Sequence, residues 1–213
     1  MKSSFPIRCQ CGYEIVLETV GTDSFKDTSC PNCHSAICVV DNGFVSTRVF
    51  NKSFSELHSG DFTVAIIFSA MAVECELARV FVKWKGIDLG LPTDVTQAHL
   101  DLWDAQLRQW AKIAVRLDKV CEFLTNRNFD AFVTNHSKLV ASIKERHPES
   151  AGHVSIKKFV VERLFWKRNA IVHLGKIDFT LSDAEACRRT AETLFQIISE
   201  MDFVRRRRLD GKS

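Results

Sequence analysis

The spacing of apolar residues changes character near position 50. Before it, short β-type runs, Tyr13 to Leu17, Ala36 to Val40 and Val45 to Phe50, alternate with turn-forming pieces such as Cys11-Gly12 and Asp41-Asn42-Gly43. After it, apolar side chains recur at three- and four-residue steps, the repeat of one helix face. The polar stretch Asn51-Lys52-Ser53 to Ser59-Gly60 predicts a linker. The pattern therefore predicts a small β unit over 1–50, a linker over 51–60 and a helical bundle over 61–213, a mainly α protein with about five helices.

The first of these helices is predicted from Asp61 to Lys85, with an apolar stripe at Val64, Ile67, Phe68, Met71, Cys75, Ala78 and Phe81 and a stop at Gly86. The second begins near Thr93 or Asp94 and reaches Thr125, carrying Trp103, Leu107, Trp110, Ala114, Leu117, Cys121 and Leu124 on one line. Phe129 to Ile143, His153 to Leu174, and Asp183 to about Arg206 supply the remaining three, the last with Cys187, Leu194, Ile198 and Met201 facing inward. Pro92 and Pro148 fall between these segments, where a missing N–H breaks no helix.

Composition narrows the class. At 213 residues and 46% hydrophobic content the chain can bury a sizeable core. Its net charge of +3 is unevenly spread: residues 153–213 carry thirteen Lys and Arg against eight acids, so an anionic partner would favour the C-terminal third. The start, Met1-Lys2-Ser3-Ser4-Phe5-Pro6-Ile7, lacks the apolar core of a secretory signal, which predicts a reducing, cytoplasmic setting. The uncharged stretch Phe62 to Val73 falls short of the roughly 20 residues of a membrane span. No membrane partner is expected.

Eight cysteines in a reducing setting point to metal ligands and core residues before disulfides. Cys9-Gln10-Cys11-Gly12 and Cys30-Pro31-Asn32-Cys33 are two thiol clips flanked by β-type sequence. Tetrahedral Zn²⁺ needs four soft ligands converging at about 2.3 Å, and two tight turns at hairpin tips deliver them. The arrangement resembles a zinc ribbon with Cys9, Cys11, Cys30 and Cys33 as ligands, although the first clip has one spacer residue where such ribbons usually have two. Structural Zn²⁺ would supply folding energy that so small a unit cannot draw from a core. Two disulfides or free thiols are the alternative, with His34 and Cys38 as reserve ligands. Cys38, Cys75, Cys121 and Cys187 lie in apolar runs and are expected to be buried structural thiols.

The string Arg168-Asn169-Ala170-Ile171-Val172-His173 places three phosphate-capable side chains in an otherwise apolar helical stretch. At about 100° per residue, Asn169 and His173 share a face, while Arg168 lies about 140° and 7.5 Å along the axis from His173. A long guanidinium still reaches the same pocket. Arg168 falls where the pattern of Val161, Leu164, Phe165, Ile171 and Val172 asks for an apolar residue. Glu74 interrupts the predicted stripe of the first helix between Met71 and Ala78, so a Glu74–Arg168 ion pair is expected, either as a structural bond or as a support for the arginine's pose.

A helical bundle whose penultimate helix carries Arg, a polar residue, three further residues and then His resembles the HEPN (higher eukaryotes and prokaryotes nucleotide-binding) family. The resemblance covers roughly residues 55 to 206 and rests on Arg168, Asn169 and His173 together with helix order. It implies a metal-independent endoribonuclease, with RNA as substrate, in a defence or stress-response system, with a toxin-like role and a protein partner or antitoxin. Cleavage through the RNA's own 2′-hydroxyl needs a base, an acid and positive donors on the phosphorane-like transition state. One helix offers one histidine, so a homodimer facing this helix against its symmetry mate is expected to assemble the centre. In that reading His173 transfers protons, Arg168 neutralises the phosphate, Asn169 orients one of them, and Arg163, Lys167 and Lys176 attract the RNA backbone. In one toxin branch of the family, paired with a nucleotidyltransferase antitoxin, a tyrosine stands two positions after the histidine. Gly175 occupies that position here, so tyrosine adenylylation there is not expected. A non-catalytic module that binds RNA, nucleotide or protein through the same cleft is the alternative.

Among weaker signals, Arg205-Arg206-Arg207-Arg208 complements the dipole at the end of the last helix and is expected to be solvated, an RNA-contacting tail being the minor alternative. His136 is expected to be a hydrogen-bonded core histidine, and Trp103 and Trp110 to pack in the core rather than to stack on bases.

Overall fold

A computed structural model describes residues 3–8, 14–19, 26–29, 31–32, 36–39, 45–90, 103 and 106–211. The chain divides into two compact units, Met1–Arg48 and Val49–Ser213, and the protein is mainly helical.

The first unit contains two antiparallel hairpins, each its own two-stranded sheet. β1 (Ser3–Arg8) pairs with β2 (Glu14–Thr19), Ser3 opposite Thr19 and Arg8 opposite Glu14; β3 (Lys26–Ser29) pairs with β4 (Ala36–Val39), Lys26 opposite Val39 and Ser29 opposite Ala36. β1 contains Pro6, which a two-stranded ribbon accepts because both of its strands are edges. The stretches joining these strands hold Cys9, Cys11, Cys30 and Cys33, all of which lie outside the described residues.

The expected third strand, Val45 to Phe50, and the expected linker over 51–60 are both corrected: they form one helix, α1 (Val45–Ser59). Its less exposed positions, Ser46, Thr47, Phe50, Ser53, Phe54 and Leu57, recur at helical spacing. Half of that stripe consists of hydroxyl residues, so the sequence reads as polar. Ser53 is buried because its hydroxyl donates to Phe50 O at 2.7 Å, satisfying the group within the helix.

In the second unit, α2 (Phe62–Asp88) starts where Asp61 Oδ1 accepts from Val64 N at 3.0 Å. Its buried face is Ile66, Ala70, Val73, Leu77, Val80, Phe81 and Trp84, rotated from the expected stripe; Met71 is exposed, and the helix runs through Gly86 to Asp88, with Gly90 at φ +70° in the turn that follows. The reason lies in the run from Phe62 to Val73, which is apolar on every side and so carries no angular preference of its own. Packing against the last helix, α8 (Leu181–Leu209), decides the face.

Two other expected helices are broken. The long second one is interrupted before α3 (Ile113–Thr125), where the Arg116 guanidinium donates to Trp110 O at 3.2 Å and Leu107 O at 3.3 Å and ties off the preceding turn. The third is split into α4 (Phe129–Thr134) and α5 (Ser137–Arg146). There His136 Nδ1 donates to Phe132 O at 2.7 Å, taking the carbonyl that the next helical N–H would use, while Asn135 Nδ2 donates to Ala131 O at 2.8 Å beside the backbone bond from Asn135 N. A short 3₁₀ turn, Pro148–Gly152, leads to α6 (Ile156–Val160), a π-helical segment Val161–Trp166 and α7 (Lys167–Leu174) in one continuous run. α8 begins with a reciprocal cap: Asp183 N donates to Thr180 Oγ1, and Thr180 N to Asp183 Oδ2.

The core joins α2, α3, α4, α8 and the π segment through Phe81, Leu117, Leu124, Phe129, Leu164, Phe165, Leu194 and Ile197, all essentially withdrawn from water. Each contributes about 1.5–3 kcal/mol relative to exposure. Burial pushes the thiols of Cys121 and Cys187 up to about 12, so both are inert packing groups at neutral pH. The Arg205 to Arg208 run is partly tied down rather than free: Arg205 grips both oxygens of Asp88 at 2.7 and 2.8 Å, and Arg208 donates to Leu124 O and Thr125 O at the end of α3. No helix among the described residues is long and apolar enough to cross a membrane.

Candidate functional site

The π segment widens the helix by one residue in a turn and resets the phase of the residues beyond it, and such bulges recur at functional sites. Leu164 and Phe165 point into the core, and after them α7 buries only Ile171. The helix then stops at Leu174, one residue beyond His173: the following Gly175 adopts φ +65° and Lys176 N donates back to Ala170 O at 3.2 Å. Asn169 and His173 consequently sit on an outward face at the end of a short helix.

Arg168 points elsewhere. Its side chain is 27% exposed, against α2, with Nη2 3.8 Å from Glu74 Oε2, a carboxylate equally exposed. Its Nη1 donates to Asn169 Oδ1 at 2.9 Å, while Nε is shielded and has no hydrogen-bond partner. Arginine has only donors, so the Asn169 oxygen must face it, leaving the amide NH₂ to donate outward. The guanidinium is thus held by one firm bond and one loose ion pair. Several of its N–H donors remain uncommitted.

His173 is exposed and has no hydrogen bond or ion pair among the described residues. The chain beside it mixes exposed apolar residues, Val172 about half exposed, Leu174 80%, Ile177 76% and Leu181 about half, with the exposed Lys176 and Asp178. Several exposed large apolar side chains within one short stretch mark a contact surface rather than a solvated one. One chain brings a single imidazole to this face.

The three cations expected to attract RNA divide. Lys167 pairs with Asp183, whose carboxyl is held down at about 2, by that lysine first and then by bonds from Thr180. This lysine locks the first turn of α7 to α8. Arg163 pairs with Glu149 at 3.1 Å and is one-third exposed. Lys176 is half exposed, 4.0 Å from Asp178 and stacked over Phe179 at 5.4 Å, and is the most solvated of the three. The four expected zinc ligands lie outside the described residues, among which no group of three or more His, Cys, Asp or Glu could hold a metal.

Sequence reasoning missed a second feature, a cleft of ≈ 530 Å³ beside the π segment, with Phe159 in its floor and Trp166 on its edge. It depends on the π phase, which no apolar period announces. Behind Phe159 lies His147, fully buried, its Nε2 3.0 Å from Thr193 Oγ1. Because the Thr193 hydroxyl donates to Arg189 O, the imidazole nitrogen is the donor. Burial lowers the His147 pKa below its ordinary 6.5. The folded state therefore holds this ring neutral, and the stability it contributes is full above the unfolded pKa of about 6.5 and is lost as pH falls below it. Urea midpoints measured from pH 7.5 down to 5.5 should fall for the native chain and fall less for His147→Gln; identical slopes would remove His147 from the account.

In comparisons with protein-family models, curated proteins and solved structures, none gave a match to this chain.

Proposed function

We propose that the chain is a HEPN-like endoribonuclease that cuts RNA through its own 2′-hydroxyl, without a catalytic metal, at a centre completed by a second copy of the chain. The observation that carries this reading is the outward placement of Asn169 and His173 on an exposed face of α7, with the Arg168 fork bonded to Asn169 beside them. A two-fold axis through that face would bring two imidazoles into one crevice. His173 of one subunit takes the 2′-hydroxyl proton as the 2′-oxygen forms its bond to phosphorus. His173 of the partner subunit protonates the 5′-oxygen as the P–O5′ bond breaks, leaving a 2′,3′-cyclic phosphate and a 5′-hydroxyl. The outward NH₂ of Asn169 and the uncommitted donors of Arg168 neutralise charge on the phosphorane-like state.

The test is direct. Purified full-length protein is incubated with structured and unstructured RNAs in EDTA, and the ends are analysed together with the mass in solution. Cyclic phosphate ends from a dimer support the reading; a chain that stays monomeric at cleaving concentrations has no second proton carrier and rejects it. The Glu74–Arg168 pair favours a second reading, a non-catalytic module that binds RNA, nucleotide or protein by the same surface, in which the arginine is a structural bond.

The first unit is read as a zinc ribbon. Its support is the position of Cys9 and Cys11 in the stretch between β1 and β2, and of Cys30 and Cys33 in the stretch between β3 and β4, one thiol clip per hairpin. Four thiolates are a donor set suited to structural Zn²⁺. Chelation should release one zinc per chain and unfold the two hairpins, β1 to β4, while sparing helical circular dichroism; loss of helical signal in step with the metal would refute that division.

A further inference from the structure

The cleft beside the π segment has the chemistry of a nucleobase site. Its volume of ≈ 530 Å³ is in the range of small-ligand pockets. Phe159 is buried in its floor, with the ring of His153 edge-on at 5.0 Å. Trp166 stands at its rim, 70% exposed, an indole face of the kind on which bases stack. Arg163 and Lys167 also line the cleft, and each is fixed in place by a carboxylate, Glu149 and Asp183. Glu162, also in the lining, is half exposed and only loosely paired, 3.8 Å from Lys158, so its oxygens are acceptors open to a ligand. Flat aromatic surface, fixed cations and an open carboxylate together suit a ring that carries amine donors and hangs from a phosphate chain.

We propose that this cleft takes one base of the RNA strand, stacked on Trp166, and selects bases with an exocyclic amine over uracil. The inference rests on the RNA reading given above. Adenine, cytosine and guanine each present an exocyclic NH₂ that Glu162 can accept from, whereas the exocyclic groups of uracil are carbonyl oxygens that the carboxylate repels and that flank its single Watson–Crick-edge donor, the ring N3–H. Trp166 precedes His173 by seven residues, about 10.5 Å along a helix, so a base held in the cleft would set which neighbouring phosphate meets α7. Nothing in the proton-transfer scheme requires this cleft; it would decide where the strand is cut.

Uncleavable 2′-O-methyl hexamers of A, C and U test the idea on the full-length protein, by fluorescence anisotropy and tryptophan quenching. The A and C hexamers should bind about ten-fold tighter than U. Trp166→Ala should weaken A and C about ten-fold, Trp166→Phe should retain most of the affinity, and Glu162→Gln should narrow the gap between C and U. Because the probes lack a free 2′-hydroxyl, these results are independent of cleavage: base-selective binding by a protein that cuts no RNA keeps the cleft and rejects the nuclease. Equal affinity of Trp166→Ala and the native chain for the C hexamer overturns the proposal. So does conversion of a native dimer to monomer by Trp166→Ala, since the indole would then belong to the contact between subunits.

Discussion

His173→Ala should lower RNA cleavage by about 10²-fold or more while leaving the melting temperature within a degree or two of the native chain. General acid–base transfer by a positioned side chain contributes about 10²–10⁴-fold, and in the proposed dimer the substitution removes both proton carriers at once. The stability side follows from the structure. The His173 ring is exposed, in the last turn of α7, with no hydrogen bond or ion pair among the described residues. Removing such a side chain costs within about 0.5 kcal/mol. An effect on rate without an effect on folding is the signature sought. Full cleavage by the alanine variant, with the same cyclic phosphate ends, would show that the histidine carries no proton.

The helical architecture is legible in the sequence where apolar contrast is strong. α8 alternates Cys187, Leu194, Ile198 and Met201 with charged residues, and both ends lie within a few residues of expectation. α2 shows the opposite case: its extent is readable from Asp61 onward, but a segment apolar on all sides does not say which side is buried, and the partner helix chooses. The breaks before α3 and after α4 are invisible for a different reason. They are made by side chains, Arg116, Asn135 and His136, bonding to carbonyls, and an apolar repeat continues across them undisturbed. α1 escapes the apolar pattern because its buried stripe uses Ser46, Thr47 and Ser53, of which Ser53 has its polarity satisfied within the helix.

At the site, periodicity places Asn169 and His173 together and sets Arg168 apart, and the structure has that arrangement, with the arginine lying toward Glu74. The sequence does not reveal that Lys167 is consumed by Asp183, because that pairing spans a loop whose path depends on Gly175. Nor does it reveal the cleft. A π turn has no repeat of its own, so the convergence of Glu162, Arg163 and Trp166 on one cleft exists only in three dimensions.

Arg168→Lys should reduce cleavage by about 10²-fold with a melting shift of only a few degrees, and that contrast separates the two meanings of the Glu74–Arg168 pair. Lysine keeps the charge and remains able to reach Glu74, but it loses the planar fork that meets two phosphate oxygens and the geometry of the Asn169 bond. Loss of one donor aimed at a developing anion costs about 10²–10³-fold in rate. By contrast the ion pair itself is loose, 3.8 Å between partners each more than a quarter exposed, and contributes about 1 kcal/mol or less. In a unit of this size that corresponds to roughly 2–4 °C. Glu74→Gln extends the comparison, since it frees the guanidinium without altering it. If the carboxylate only steadies the arginine, this variant should retain cleavage to within about ten-fold. A structural bond predicts the reverse ordering: Arg168→Lys nearly neutral for both fold and rate, and Arg168→Ala strongly destabilising with unchanged affinity for RNA. The two readings divide on the rate of Arg168→Lys, because a guanidinium kept for its shape fails on replacement by lysine, whereas one kept for its charge does not.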